Sequence, residues 1–116
     1  MPTNWSEDII IADLTDEPSL SEELNGVLDG VRSGKDGKAP HVVLNFGAVS
    51  YVNSSNLSQL LKLKKAVAEA GRIMKICSVS EDVWSVFKTT GLDKVFRFAP
   101  DPLTALASLQ MEGPQG

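Results

Sequence analysis

The chain is poor in the residues from which metal, disulfide and nucleophilic sites are usually built. Its 116 residues include one cysteine, Cys77, and one histidine, His41. A single cysteine excludes an intramolecular disulfide and leaves a cysteine-based zinc site without ligands. A Ser/His/Asp arrangement would have to use His41, and there is no G-x-S-x-G motif to present a nucleophile. The sequence therefore predicts no metal, no cofactor and no enzymatic activity. We interpret His41 as a solvent-facing residue at a strand end and Cys77 as a buried, unreactive thiol.

Long apolar runs and clusters of positive charge are also missing. No stretch of about 18 apolar residues exists, which argues against a transmembrane helix. The 15 acidic residues outnumber the 11 Lys and Arg residues and give a net charge of −4, so generic binding to nucleic acid or anionic lipid is not expected. Residues 1–8 are polar and acidic, unlike a secretory signal. We therefore expect a cytoplasmic protein without nucleic-acid partners or membrane insertion, and the sequence leaves its oligomeric state open.

Short apolar runs alternate with longer stretches of helical periodicity along the chain. Strands are predicted at residues 9–12, 41–46, 73–77 and 95–98, with a helix after each. Ser19 or Ser21 is a candidate cap for the first helix, and Ser80 for the third. This alternation predicts an α/β fold with a small, mainly parallel sheet of four to five strands and about four helices. We expect one domain over residues 1–116, with its core at 9–109 and a flexible tail at 111–116.

A polar cluster follows the second strand and opens the second helix. Asn53 is a good N-cap, and Ser54 and Ser55 then occupy the first helical turn. Backbone N–H groups and the positive end of the helix dipole would stabilise a phosphate added there. The same residues also suit an ordinary capping sequence, and the pattern alone favours that interpretation, because Ser and Asn are the commonest caps.

The segment from Leu44 to Leu61 resembles the signature region of STAS domains, above all the bacterial anti-sigma-factor antagonists. The family pattern is an apolar strand, a connector, and an Asp-Ser-Ser/Thr-Gly-Leu motif that opens a helix. Leu44-Asn45-Phe46 matches the strand, residues 49–52 match the connector, and residues 53–57 match the motif. Residues 90–98 continue the resemblance, which extends over about residues 9–109.

The resemblance implies a protein-binding module in bacterial signalling that regulates transcription, with no catalytic machinery of its own. Its phosphate acceptor would be Ser54, with Ser55 as the second candidate. The surface that binds the partner would comprise Asn53, Ser54, Ser55, Asn56 and Leu57. The implied partner is an anti-sigma factor that is also a serine kinase; phosphorylation would abolish binding and a phosphatase would restore it.

This chain departs from the family pattern at three places. Asn53 replaces the motif aspartate, which keeps the capping oxygen and removes a negative charge. Asn56 replaces the motif glycine, and we expect a closely approaching partner to meet its side chain. The family usually has two strands before its first helix, whereas only residues 9–12 give a clear strand here, with residues 3–6 as a weak candidate for the other.

Two other functions fit the same sequence. One is a STAS adaptor that is not phosphorylated and serves as a subunit of a transporter or another protein complex. The other is a small-ligand or nucleotide-binding module in which the turn at Asn53 holds a ligand phosphate. Trp84 and Phe87, three residues apart on one helix, are interpreted as core residues, with a partly exposed Trp84 as the alternative docking anchor.

Overall fold

The computed structural model describes residues 9–33 and 39–112, in which strands and helices alternate strictly. The elements in chain order are β1 (Ile9–Thr15), α1 (Ser19–Arg32), β2 (His41–Ala48), α2 (Ser54–Glu69), β3 (Met74–Cys77), α3 (Glu81–Thr90), a 3₁₀ turn (Leu92–Lys94), β4 (Arg97–Ala99) and α4 (Pro102–Glu112). The predicted α/β fold, with four strands and four α-helices in the described residues, is confirmed. The weak strand candidate at residues 3–6 lies outside them.

The four strands form one parallel sheet in the order β1-β2-β3-β4. Its second strand, β2, is apolar on both faces because helices cover both sides of the sheet, as is usual for parallel sheets. Val42, Leu44 and Phe46 of β2 point into one core and Val43 points into the other, as the two-residue period of a strand requires.

The helices divide unequally between the two faces of the sheet. The buried leucines and valines of α1, α2 and α3 form the larger core against one face. On the other face, α4 is the one helix of the described residues, and it places Ala105, Leu106 and Leu109 against Val43 and Cys77. Phe87 is fully buried and meets the rings of Phe46, Phe96 and Phe98 edge-on, which confirms its predicted core role.

Trp84 has features of both predicted alternatives, the core residue and the partly exposed residue. Its ring packs edge-on against Phe98, with centroids 5.0 Å apart, yet 37% of the residue stays exposed. It therefore covers the end of the larger core next to β4 and also contributes to the surface.

Several predicted boundaries were wrong for local reasons. Neither predicted serine caps α1: Pro18 is the cap residue and makes no side-chain bond. The last strand is Arg97–Ala99 rather than residues 95–98, because Gly91 (φ 78°) ends α3 and a 3₁₀ turn follows directly. The predicted tail began too early, since α4 continues through Met111 to Glu112; residues 113–116 lie outside the described part of the chain.

Candidate functional site

The candidate site lies at the edge of the sheet where the parallel strands end. The segment between β1 and α1 and the segment between β2 and α2 meet there, because parallel strands present their carboxyl ends on the same side. Crevices outside this edge are the usual binding places of open α/β sheets. Both predicted serines lie at this edge.

Asn53 and Asn56 close the first turn of α2 with a reciprocal pair of hydrogen bonds. The Asn56 backbone N–H donates to Asn53 Oδ1 at 2.9 Å, and the Asn53 backbone N–H donates to Asn56 Oδ1 at 3.0 Å. This is a capping box, in which Asn56 fills the position that Glu or Gln usually takes. Asn53 is thus the predicted N-cap, and the turn that carries Ser54 and Ser55 is held at both of its ends.

Asn56 is the only polar residue of this turn with no exposed surface. Its Nδ2 donates to Glu17 Oε2 at 2.9 Å and, at 3.4 Å, to Gln59 Oε1. Because a carboxylate only accepts hydrogen bonds, the Asn56 atom next to Glu17 has to be the amide nitrogen Nδ2. The amide oxygen Oδ1 therefore points toward Asn53. The bond ties the start of α2 to the start of α1.

Glu17 also replaces the missing serine cap of α1. Its carboxylate accepts the Ser21 backbone N–H at 2.9 Å and the Ser21 hydroxyl. Hydrogen bonds from the Ser21 hydroxyl, from the Asn56 side chain and from the Ser21 backbone hold the pKa of Glu17 below its ordinary value. The carboxylate is therefore ionised at neutral pH, and it accepts hydrogen bonds from Ser21 at the start of α1 and from Asn56 at the start of α2.

A second carboxylate fastens the connector before α2. Asp16 accepts the Ser50 hydroxyl at 2.7 Å and the Ser50 backbone N–H at 2.8 Å. These bonds, the hydroxyl first, lower the pKa of Asp16. Near the end of β2, Asn45 donates to Asp13 of β1 at 2.8 Å and accepts the Gly47 backbone N–H at 3.0 Å. The β2–α2 connection is thus attached to the β1–α1 segment through Ser50, and the ends of β1 and β2 are joined through Asn45.

The five residues predicted to bind a partner are not equally accessible. Asn53, Ser54 and Ser55 are exposed, while Leu57 is half-buried and packs against the larger core. The expectation that a partner would meet the side chain of Asn56 was wrong, because its hydrogen bonds to Asn53 and Glu17 turn it inward. The outer surface of the turn is therefore as open as it would be with glycine at this position.

Sequence reasoning missed Asp16, Glu17 and the neighbouring Tyr51 as site residues. Acidic residues just before a helix are a usable capping signal. The pairing of Glu17 with Asn56 spans 39 residues and has no local signal. Tyr51 is 54% exposed on the connector just before Asn53.

The two residues set aside as chemically inert lie away from this turn. His41 is 6% exposed rather than solvent-facing, because its Nδ1 accepts the Ile73 backbone N–H at 3.0 Å and joins the starts of β2 and β3. Cys77 is buried under α4 as predicted, and burial raises the pKa of its thiol. A thiol in this state is a poor nucleophile.

Residues 9–33 and 39–112 contain no candidate metal site and no candidate membrane span. No group of three His, Cys, Asp or Glu side chains there is placed to hold a metal ion. None of the helices in that part of the chain has the length and apolar character needed to cross a bilayer.

Comparison with known proteins settles the family. The model of the STAS domain matches residues 12–105 of this chain, which include both helix starts and the Asn53–Asn56 turn. The chain belongs to the STAS domain family. The predicted resemblance to STAS domains is thereby confirmed.

Solved STAS structures share the fold at low sequence identity. An anti-sigma-factor antagonist (STAS) domain protein from Planctomyces limnophilus has a TM-score of 0.76 and 18% identity, with 90% of this chain and 93% of that one covered. A sulfate transporter family protein from Wolinella succinogenes gives 0.75 and 16%, covering 94% and 90%. The phosphorylated Bacillus cell-fate determinant SpoIIAA gives 0.62 and 15%, covering 84% and 87%. At these identities the likeness concerns the fold alone.

Proposed function

We propose that this STAS domain is an anti-sigma-factor antagonist that binds an anti-sigma factor or serine kinase until Ser54 is phosphorylated. The observation that carries the proposal is that Ser54 is exposed in the first turn of α2. It directly follows the N-cap Asn53, which the capping box holds in place. A structural neighbour solved in a phosphorylated form and another described as an antagonist support it. The domain would act in the cytoplasm as a binding module without catalytic activity.

The proposed switch is electrostatic. Phosphate on Ser54 adds a charge of about −1.5 to −2 at neutral pH. The free backbone N–H groups of a helix start tolerate that charge, so the folded domain accepts it. A partner that covers the turn has to remove water from the same charge, which costs several kcal/mol unless it supplies its own cations. Phosphorylation would therefore release the partner without unfolding the domain, and a phosphatase would reverse the release.

The test compares wild type with Ser54→Asp, Ser55→Asp and Ser58→Asp as baits in extract from the cells that make the protein. Ser58 is exposed one turn further along α2, so Ser58→Asp controls for an added charge on the same helix. We expect a protein retained by wild type and Ser58→Asp to be lost on Ser54→Asp. Phosphate mapping by mass spectrometry after incubation with that protein and ATP should identify Ser54, with Ser55 as the second candidate.

Equal retention on wild type and Ser54→Asp would contradict the switch. The second candidate function, an adaptor that is not phosphorylated, is favoured by the similar fold of the Wolinella sulfate transporter family protein. An adaptor would bind its partner equally well in both variants and would acquire no phosphate.

A further inference from the structure

The edge of the sheet that carries Ser54 has a one-sided distribution of charge. Four segments form it, each with a strand end and the following helix start: residues 13–23, 45–58, 77–84 and 99–104. None of the chain's 11 Lys and Arg residues falls in these segments. Of its 15 Asp and Glu residues, the segments contain eight, namely Asp13, Asp16, Glu17, Glu22, Glu23, Glu81, Asp82 and Asp101. We call these four segments the acidic edge.

Five of these carboxylates are held by hydrogen bonds. Asp13 accepts from Asn45, and Glu23 accepts from the Thr15 backbone N–H and hydroxyl. Asp16 and Glu17 hold the loops together as described above, and Asp101 accepts the Thr104 backbone N–H at 2.7 Å. That backbone bond, followed by the Thr104 hydroxyl, lowers the pKa of Asp101. Asp16, Glu17 and Asp101 are therefore ionised at neutral pH.

A neutral area interrupts the acidic edge at the start of α2. The first turns of α1 and α3 contain Glu22, Glu81 and Asp82, whereas the first turn of α2 contains no acidic residue. Tyr51, more than half exposed, lies on the connector that leads into this turn. Tyrosine is enriched among the residues that dominate protein interfaces. The neutral turn and Tyr51 thus form a centre with carboxylates around it.

We propose that the acidic edge docks a protein surface whose lysine and arginine side chains surround a neutral pocket for Tyr51 and the first turn of α2. The inference deepens the proposed function, since it takes this protein to be the partner that Ser54 controls. Complementary charges of this kind steer encounter and raise association rates about 10- to 1000-fold at low salt. The aromatic centre, once desolvated, would supply most of the lasting affinity.

This arrangement accounts for how phosphate can repel a cationic partner. The rim cations are already matched by the rim carboxylates, and the pocket above the first turn of α2 holds none. A phosphate on Ser54 would enter that neutral pocket and lose its water without gaining a cation. Negative charge at the rim therefore promotes binding, while negative charge at the centre prevents it.

The experiment removes three carboxylates from the rim and compares this with removing three elsewhere. The rim variant combines Glu22→Gln, Glu81→Gln and Asp82→Asn. The control variant combines Asp29→Asn, Glu69→Gln and Asp93→Asn, which lie near the ends of α1, α2 and α3 at the opposite edge of the sheet. Both variants change the net charge equally, and circular dichroism verifies that both are folded.

Wild type, the rim variant and the control variant serve as baits in the same cell extract, with quantitative mass spectrometry of the retained proteins. We expect a protein that wild type and control retain and that the rim variant loses. Once it is purified, its association rate with the rim variant should be about tenfold below that with wild type at about 50 mM salt. The difference should shrink at about 300 mM salt, because surface charges are then screened.

The proposal is overturned if no protein distinguishes the rim bait from the control bait, or if the purified protein associates equally fast with both variants. The Ser54 switch has a separate outcome. A protein that the rim variant loses but Ser54→Asp retains would support the cationic partner and contradict the Ser54 switch. A protein that Ser54→Asp loses but the rim variant retains would support the switch and contradict the cationic partner.

Discussion

At the scale of single residues, Asn56 determines how the first turn of α2 is built. Its side chain accepts from the Asn53 backbone N–H and donates to Glu17, so a fully buried polar group has all its bonds within the protein. Buried amides are stable only when satisfied in this way. The residue that departs from the family's glycine thus adds a link between two helices and leaves the outer face of the turn unobstructed.

Substituting Asn56 by Ala or Gly should lower the free energy of unfolding by about 1–3 kcal/mol, because Glu17 and the Asn53 backbone N–H lose a buried partner. Urea titration followed by circular dichroism measures the change. Asn53→Asp is the matched control, since Asp and Asn cap helices about equally well. A stability of Asn56→Gly equal to wild type would show that the amide adds nothing.

Glu17 should make stability depend on pH in the acid range. Its pKa in the folded protein is lowered by hydrogen bonds, so its contribution is full above the ordinary carboxyl value of about 4.3. That contribution is lost as the pH falls through the lower pKa of the folded state. Glu17→Gln should therefore be less stable than wild type at pH 7 and approach it at acid pH. Thermal unfolding of wild type and Glu17→Gln from acid to neutral pH measures this, and a stability difference that stays constant with pH would contradict it.

At the scale of elements, α2 and α4 differ in what stabilises them. α2 has a capping box at its start and ends before Gly71 (φ 75°), with the Arg72 backbone N–H bonded to the Val67 carbonyl. This is the bonding of a Schellman-type end. α4 has apolar residues on more than one side and is the helix that covers the second face of the sheet. Its stability depends on docking against the sheet.

Two leucines of α4 should therefore respond very differently to truncation. Leu109 is 1% exposed and Leu103 is 76% exposed on the same helix. Leu109→Ala should lower the free energy of unfolding by about 2–5 kcal/mol, because it leaves a cavity beneath α4. Leu103→Ala should stay within about 0.5 kcal/mol of wild type. Similar losses in both variants would mean that α4 packs differently from its described position.

At the scale of the whole molecule, β2 joins the two cores. Its alternate residues point into the large core of α1, α2 and α3 and into the small core under α4. Neither helical layer has a sheet of its own. Loss of β2 therefore removes the support of both layers together.

The described part of the chain should unfold in a single transition. Trp84 reports on the larger core, and Cys77 reports on the α4 side, where burial keeps its thiol unreactive. Because Trp5 would add its own signal, the experiment uses Trp5→Phe. The urea midpoints from Trp84 fluorescence and from thiol labelling should coincide, as two-state unfolding requires. Labelling of Cys77 at a clearly lower urea concentration would indicate that α4 separates first.

The local parts of the fold could be predicted from the sequence, and the non-local parts could not. Strand and helix positions followed from apolar periodicity, and the caps at Asn53 and Ser80 followed from residue type. The burial of His41 escaped prediction because its partner, the Ile73 backbone N–H, lies 32 residues away. By contrast, the start of α1 was misassigned for a local reason, because Glu17 accepts the Ser21 backbone N–H four residues later and takes the place of a serine cap.

The sequence alone determined that this is an α/β domain and which hydroxyl groups start its second helix, since both follow from spacing and residue type over a few positions. Only the tertiary structure decided that Asn56 turns inward to Glu17 and that the carboxylates of three separate segments lie at the same edge of the sheet as Ser54. Those facts depend on the parallel pairing of strands, which brings distant loops to one edge of the sheet.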